Sequence, residues 1–374
     1  MDFDLNEEQK LIRDSARDFL KTECPKSVVR ELEESKTGYS PVLWKKMAEL
    51  GWMGITVPEE YGGVGLSWLD QAVLFEEFGR AAMPGPMFST AIGAQLLVEG
   101  GTDGQKETYL SKVTSGDLIL TLAWEELEVV NNPAFVSTRV VPAGGGYEIN
   151  GTKLFVPYAQ VADLLLVVTR TEGKPGDENG ITVLLVNPKT TGIHLTPVKT
   201  IAADKQFRVD FENVQVSSDD MIGGTDKGLP LIKSVLEKAA ALQCVEMVGG
   251  AQQELEMTTE YTKTRFQFDR AIGTFQAVQH RLADMYIDAN GARWVAYQAV
   301  WRLTQGLPAA RELMIAKIIA NKACQRVAFS AQQLHGGIGV DLDFDLHFYY
   351  RRAKAFELKF GTTLQHLESL GSQI

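Results

Sequence analysis

Apolar positions recur at helical spacing through the first third of the chain, shorten to a two-residue period in the middle, and return to helical spacing to the end. Residues 5–19 carry Leu11, Ala16 and Phe19 on one stripe, with Asn6 placed as an N-cap and Glu7 and Glu8 in the first turn. Further helices are predicted over 41–50, stopping at Gly51, and over 69–80 and 90–99. Pro58-Glu59-Glu60-Tyr61-Gly62-Gly63 reads as a loop. From Leu118 onward β-branched residues rise. Strands are predicted over 136–141, 147–154, 164–170, 181–186 and 207–211, with turns at Gly144-Gly145-Gly146 and Asn150-Gly151 and a polar loop over 174–179. The helical pattern resumes at Lys227, with long runs over 234–265, 276–305, 308–334 and 348–371. Four long helices with short links predict an antiparallel bundle. The expected class is therefore α+β, mainly α. A helical domain (1–117) precedes a β-barrel-like domain (118–224) and a four-helix bundle (225–374).

Composition narrows the function classes. The chain has 374 residues, 45% of them hydrophobic and 23% charged, as in ordinary globular proteins. Its net charge of -11 argues against nucleic-acid binding, so a polyphosphate ligand needs locally placed Arg, Lys or backbone N–H groups. Cys24, Cys244 and Cys324 are widely spaced and form no CxxC, which points to a reducing compartment and to no metal site. The acidic start Met1-Asp2-Phe3-Asp4-Leu5 carries no leader signature, and no apolar run is long enough for a membrane span. A cytoplasmic location is the expectation.

Chemistry concentrates in two segments. The first is Arg265-Phe266-Gln267-Phe268-Asp269-Arg270-Ala271-Ile272-Gly273-Thr274-Phe275-Gln276, and the second is Gln333-Leu334-His335-Gly336-Gly337-Ile338-Gly339. With Leu50-Gly51-Trp52-Met53-Gly54, Pro58-Glu59-Glu60-Tyr61-Gly62-Gly63-Val64-Gly65-Leu66 and Glu76-Glu77-Phe78-Gly79-Arg80-Ala81, they resemble the acyl-CoA dehydrogenase family over nearly the whole chain. The resemblance implies FAD bound between the β block and the bundle, with a neighbouring subunit completing the site. It implies Arg265 on the pyrophosphate, Phe268 near the flavin, and Gln276 at a family glutamine contact. Gln333, Gly336 and Gly337 match the second cofactor segment, and Thr362 a threonine near the adenosine end. A guanidinium suits diphosphate because it forks two donors onto oxygen. The plainer reading makes Arg265 a solvated helix-end cation and the glycine pair a turn. His335 is expected to pack near the cofactor and not to bind metal. Arg351, Arg352 and Lys354 face either CoA phosphates or solvent. Residues 86–92 line the acyl pocket by resemblance alone.

Three departures matter. Where such proteins carry Thr-Glu-Pro, this chain reads Trp124-Glu125-Glu126 within Ala123–Asn131. Where they carry Trp-Ile-Thr-Asn, it reads Phe155-Val156-Pro157-Tyr158, losing the hydroxyl near flavin N5. Family chemistry removes an α-proton from an acyl thioester while hydride leaves Cβ for the flavin, and a glutamate is the base. Phe360 stands at that glutamate's position, and Ala239 and Ala240 occupy the alternative position on the first bundle helix unless a two-residue shift brings in Glu237. Glu246, seven residues beyond Ala239 and flanked by apolar neighbours, is the remaining candidate; a buried structural ion pair is its competing reading. Intact bundle-side motifs with altered β-side ones suggest one subunit of a heteromeric enzyme. The resemblance implies a bulky or cyclic acyl-CoA, such as a steroid-derived one, as its substrate and an electron-transfer flavoprotein as its electron acceptor. A homotetramer using Glu246, or a non-catalytic subunit completing a neighbour's FAD site, are the alternatives.

Overall fold

The computed structural model describes residues 4–128 and 131–373. The N-terminal start Met1-Asp2-Phe3 and the pair Val129-Val130 of the altered β-side segment lie outside the described residues. The helices and strands run α1 (Glu7–Glu23), α2 (Lys26–Glu34), α3 (Pro41–Glu49), α4 (Trp68–Ala81), α5 (Met87–Gly100), α6 (Asp103–Thr114), then β1 (Leu120–Ala123), β2 (Arg139–Ala143), β3 (Gly146–Pro157), β4 (Leu164–Arg170), β5 (Ile181–Val186), β6 (Ile193–Val198), β7 (Gln206–Val216) and β8 (Met221–Ile222). There follow α7 (Gly228–Thr264), a two-stranded hairpin of β9 (Phe266–Gln267) and β10 (Arg270–Ala271), α8 (Gln276–Thr304), α9 (Ala310–His335), α10 (Leu346–Leu358) and α11 (Thr363–Gly371).

Two compact units emerge. One gathers the chain up to Arg30, Ser67–Met83 and the chain from Glu237 onward. In it, α1 and α4 join the helices predicted as a bundle. Asn6 caps α1 in a reciprocal box with Gln9. The α4 motif is used internally. Glu76 accepts from Arg293 Nε at 2.8 Å and from the Tyr297 hydroxyl at 2.5 Å, while Glu77 pairs with Arg17 at 2.6 Å. Glycines let α4 and α7 approach: a Cβ on Gly249 would lie 2.0 Å from the Glu76 carbonyl oxygen.

The final helical run is a correction. One helix was expected over 348–371, but α10 ends at Leu358 and α11 starts at Thr363. Phe360 takes φ 55° and Gly361 φ 99°, left-handed values that end a helix. Four carbonyls around the break are taken up by side chains. Lys317 Nζ donates to Phe356 O and Lys359 O at 3.2 and 2.8 Å, Asn321 to Glu357 O at 3.3 Å, and His366 Nε2 to Phe360 O at 2.9 Å.

The other unit comprises Glu31–Leu66 and Pro84–Leu236. Its core is an eight-stranded sheet in the order β6-β7-β3-β2-β4-β5-β8, with β1 parallel to β4. β4 and β5 are buried nearly end to end, consistent with their unbroken Val, Leu and Ile runs. The long β3–β7 ladder shifts register twice, between Ile149 and Gly151 and between Lys153 and Val156.

Candidate functional site

The two cofactor-like segments lie at adjoining helix ends. Tyr261, in the last turn of α7, stacks on His335, the last residue of α9, with ring centroids 4.3 Å apart. The His335 ring also lies 5.2 Å from Phe344. Burial lowers the His335 pKa against the opposing bond to Ala331 O. Nδ1 sits 2.8 Å from that oxygen and so carries the proton. This aromatic stack brings the segment after Tyr261 beside the segment after His335.

Each segment then turns outward. Ile272 N–H donates to Arg265 O at 2.8 Å, closing the β9–β10 hairpin. Phe268 and Asp269 at its tip have φ 54° and 62°. Phe268 is 85% exposed, and Arg270 stacks over Phe275 at 4.0 Å. Among the described residues the Arg265 guanidinium makes no hydrogen bond or ion pair within the chain. Gln276 and Gln333 are exposed at the start of α8 and near the end of α9. Gly336 has φ 65°, and neither it nor Gly337 has any atom within 4 Å of where a Cβ would stand. Thr362 is half-buried and caps α11, its hydroxyl accepting from Gln365 N–H at 3.4 Å.

On the sheet, the two altered segments lie side by side. Leu154 N–H donates to Glu125 O at 2.8 Å, and the Thr121 hydroxyl to Pro157 O at 2.6 Å. The tie between them is an ion pair invisible in the sequence. Lys153 Nζ donates to Glu126 at 2.6 Å, with side chains 0% and 6% exposed. Glu126 also accepts from the N–H and hydroxyl of both Ser137 and Thr138. Trp124 is buried, whereas Phe155, at φ 49° in the second register shift, is half-exposed.

Family comparisons agree with this layout. The N-terminal, middle and C-terminal domain descriptions of acyl-CoA dehydrogenases match residues 6–117, 122–214 and 226–374. The chain belongs to the acyl-CoA dehydrogenase family. It is 31% identical over 371 residues to the probable acyl-CoA dehydrogenase YngJ of Bacillus subtilis, covering 97% of each chain. It superposes on a chain of the ChsE4-ChsE5 complex from Mycobacterium tuberculosis with a TM-score of 0.91 and 29% identity, covering 100% of this chain and 98% of that one. A variant of the Tcur3481-Tcur3483 steroid ACAD gives 0.88 and 32%, covering 98% and 97%. The protein is thus an acyl-CoA dehydrogenase-type FAD oxidoreductase with the mainly helical fold of that family, whose members bind FAD and act on acyl-CoA.

The geometry suits the cofactor on the bundle side. An exposed guanidinium, an exposed aromatic ring and an unobstructed glycine backbone lie at joined helix ends, and a guanidinium with open backbone suits a diphosphate. Among the described residues no group of three or more His, Cys, Asp or Glu is placed to hold a metal ion, and no helix is long and apolar enough to cross a membrane.

The positions where the sequence resemblance leads one to expect the base hold no carboxylate. Phe360 sits in the α10–α11 break, and Ala239 and Ala240 are buried. Glu237 is half-buried, and burial raises its pKa. Two residues are about 200° around a helix, however, so it does not share the face of Ala239. Glu246 is half-buried, accepts from Gln243 Nε2 at 2.9 Å and lines a cavity with Arg352. The expected basic cluster is dispersed: Arg352 Nη1 donates to Met83 O at 3.5 Å, Arg351 lies 3.0 Å from His347 Nδ1, and Lys354 pairs with Glu357.

Proposed function

We propose that this chain is one subunit of a heteromeric acyl-CoA dehydrogenase that desaturates a bulky or cyclic acyl-CoA at Cα–Cβ. The observation that carries the reading is Phe360. By the sequence resemblance a benzyl side chain stands where the proton acceptor is expected, in a backbone turn held by Lys317, Asn321 and His366. Arg265, Phe268, Gln276, Gln333, Gly336, Gly337 and Thr362 would hold FAD, which supplies the hydride acceptor. The proton acceptor would come from an unlike subunit. Similarity to the ChsE4-ChsE5 complex and to a steroid ACAD supports this choice of assembly and substrate class. An electron-transfer flavoprotein would take the electrons, and the assembly would work in the cytoplasm. The domain boundaries fall after residues 117 and 224.

Purifying the chain alone and with candidate partner subunits tests this. Little flavin and no turnover alone, with both restored on mixing, is the expected result. A yellow, tetrameric and active chain alone overturns it. The self-sufficient alternative rests on Glu246 at the cavity. It requires Glu246→Gln to lower turnover about a hundredfold with FAD retained, and an unchanged rate removes it. A purely scaffolding subunit would instead lose its partner's FAD on Arg265→Ala, with no carboxylate of this chain affecting turnover.

A further inference from the structure

The bundle holds a small cavity outside the two cofactor-like segments. It has a volume of about 20 Å³ among α4, α7, α9 and α10, and its lining includes Gly79, Glu246, Glu254, Cys324, Tyr349 and Arg352. Small residues create it: Gly250 and Ala251 on α7, Ala353 on α10, and Gly79, where a Cβ would stand 2.0 Å from Glu246 O.

Glu254 is the anomaly in this lining. It is 1% exposed, and its Oε1 has no hydrogen-bond partner. It lies on the α7 face that carries Met247 and Ala251 into an apolar cluster with Met285, Ala289, Cys324 and Val327. The groups around it do not neutralise a charge there. On α4, Arg80 pairs with Glu77 and Glu256. From α8 come the apolar Met285 and Ala289. On α9 the Cys324 thiol is itself pushed up by burial, with Glu254 adding to the shift. On α10 the Tyr349 hydroxyl donates to Arg80 O at 2.5 Å, and Arg352 reaches Met83 O. Burial alone holds the Glu254 carboxyl well above the usual carboxylate range, which favours its protonated form.

We propose that this cavity binds a single water, held by the Glu254 carboxyl with Glu246 and Arg352 as its other polar neighbours. The volume decides the occupant. A water needs roughly 10–15 Å³ and two to four polar partners; the space has the volume, and Glu254 Oε1 is a buried polar atom with its bonding capacity unused, whereas an acyl chain does not fit. Glu254 lies outside the two cofactor-like segments. Its part is to make the void at the helix crossing polar, so that water fills it.

Infrared difference spectra of the full chain, wild type minus Glu254→Gln, test the protonation at pH 7. The expected result is a neutral carboxylic-acid carbonyl band that shifts in deuterated buffer. A high-resolution crystal structure should show a water within hydrogen-bond distance of Glu254 Oε1, kept in Glu254→Gln and lost in Glu254→Met. A carboxylate band alone, a dry cavity, or an Arg352 guanidinium swung onto Glu254 overturns the proposal. If the Met variant does not fold, the wild-type spectrum and density still decide. None of these readouts depends on turnover or on FAD.

Discussion

Replacing Glu126 by Gln should unfold the sheet unit far more readily than its small change in shape suggests. The Lys153–Glu126 pair is 2.6 Å long and almost sealed from water. Burial raises the Glu126 carboxyl, but the Lys153 charge and hydrogen bonds from Lys153, Ser137 and Thr138 outweigh it and bring it to about 2. Burial also outweighs the pair at Lys153, which falls to about 8. An acid lowered from 4.5 to about 2 contributes stability that is present above pH 4.5 and lost as pH falls through 2. At about 1.4 kcal/mol per unit, that is about 3 kcal/mol. Removing one partner of a buried pair costs about 3–5 kcal/mol by an independent route. Gln keeps an acceptor for Ser137 and Thr138 but leaves Lys153 without a counter-charge, so its pKa falls further. The unfolded lysine titrates near 10.4, so between the two values the unfolded state binds more protons. The variant's stability should therefore rise with pH across that window, where the wild type is flatter. Urea unfolding from pH 6 to 9 measures this for Glu126→Gln, Lys153→Met and the double variant. The double variant should recover to within about 1 kcal/mol of wild type, because a neutral, packed pair no longer strands a charge. A single variant within about 0.5 kcal/mol of wild type, or strictly additive effects, would refute the reasoning.

Arg265→Lys should weaken FAD binding by about tenfold or more, since a point charge replaces a two-pronged donor; flavin absorbance titration of the assembled enzyme reads it, and unchanged affinity removes Arg265 from the cofactor site. Glu254 has a raised folded pKa, so its favourable contribution is complete below pH 4.5 and declines as pH rises toward the folded value. Glu254→Gln should therefore gain stability relative to wild type by about 1.4 kcal/mol per pH unit across that window, and a pH-independent difference in denaturation midpoint would contradict it. Gly249→Ala places a Cβ 2.0 Å from Glu76 O and should cost at least about 1–3 kcal/mol by forcing α4 and α7 apart. A neutral outcome in thermal unfolding would mean the helices move freely there.

What the sequence disclosed followed from how local each signal is. The long periodic helices and the apolar strands β4 and β5 declare themselves, because every second or third residue repeats the same burial. Short α6 does not: its twelve residues bury only Gln105, Leu110 and Val113. The exposed strand β6 does not either, for it buries no residue fully and carries Pro197. The α10–α11 break was readable: Gly361 follows a helix, and Thr362-Thr363-Leu364-Gln365 has the spacing of a capping box. The long apolar period across it hid that punctuation. The cofactor segments were visible as motifs, but the Tyr261–His335 stack that brings them together joins residues 74 apart, and no window contains both. The two α7 glutamates show the same limit most clearly. Glu246 drew notice because its neighbours in the chain are apolar, yet a helix buries by face. Met247, Ala251 and Glu254 follow one another at steps of four and three, so Glu254 was the carboxyl directed into the core. Along a helix, the residues three and four away determine a carboxyl's solvation, and its immediate neighbours in the chain do not.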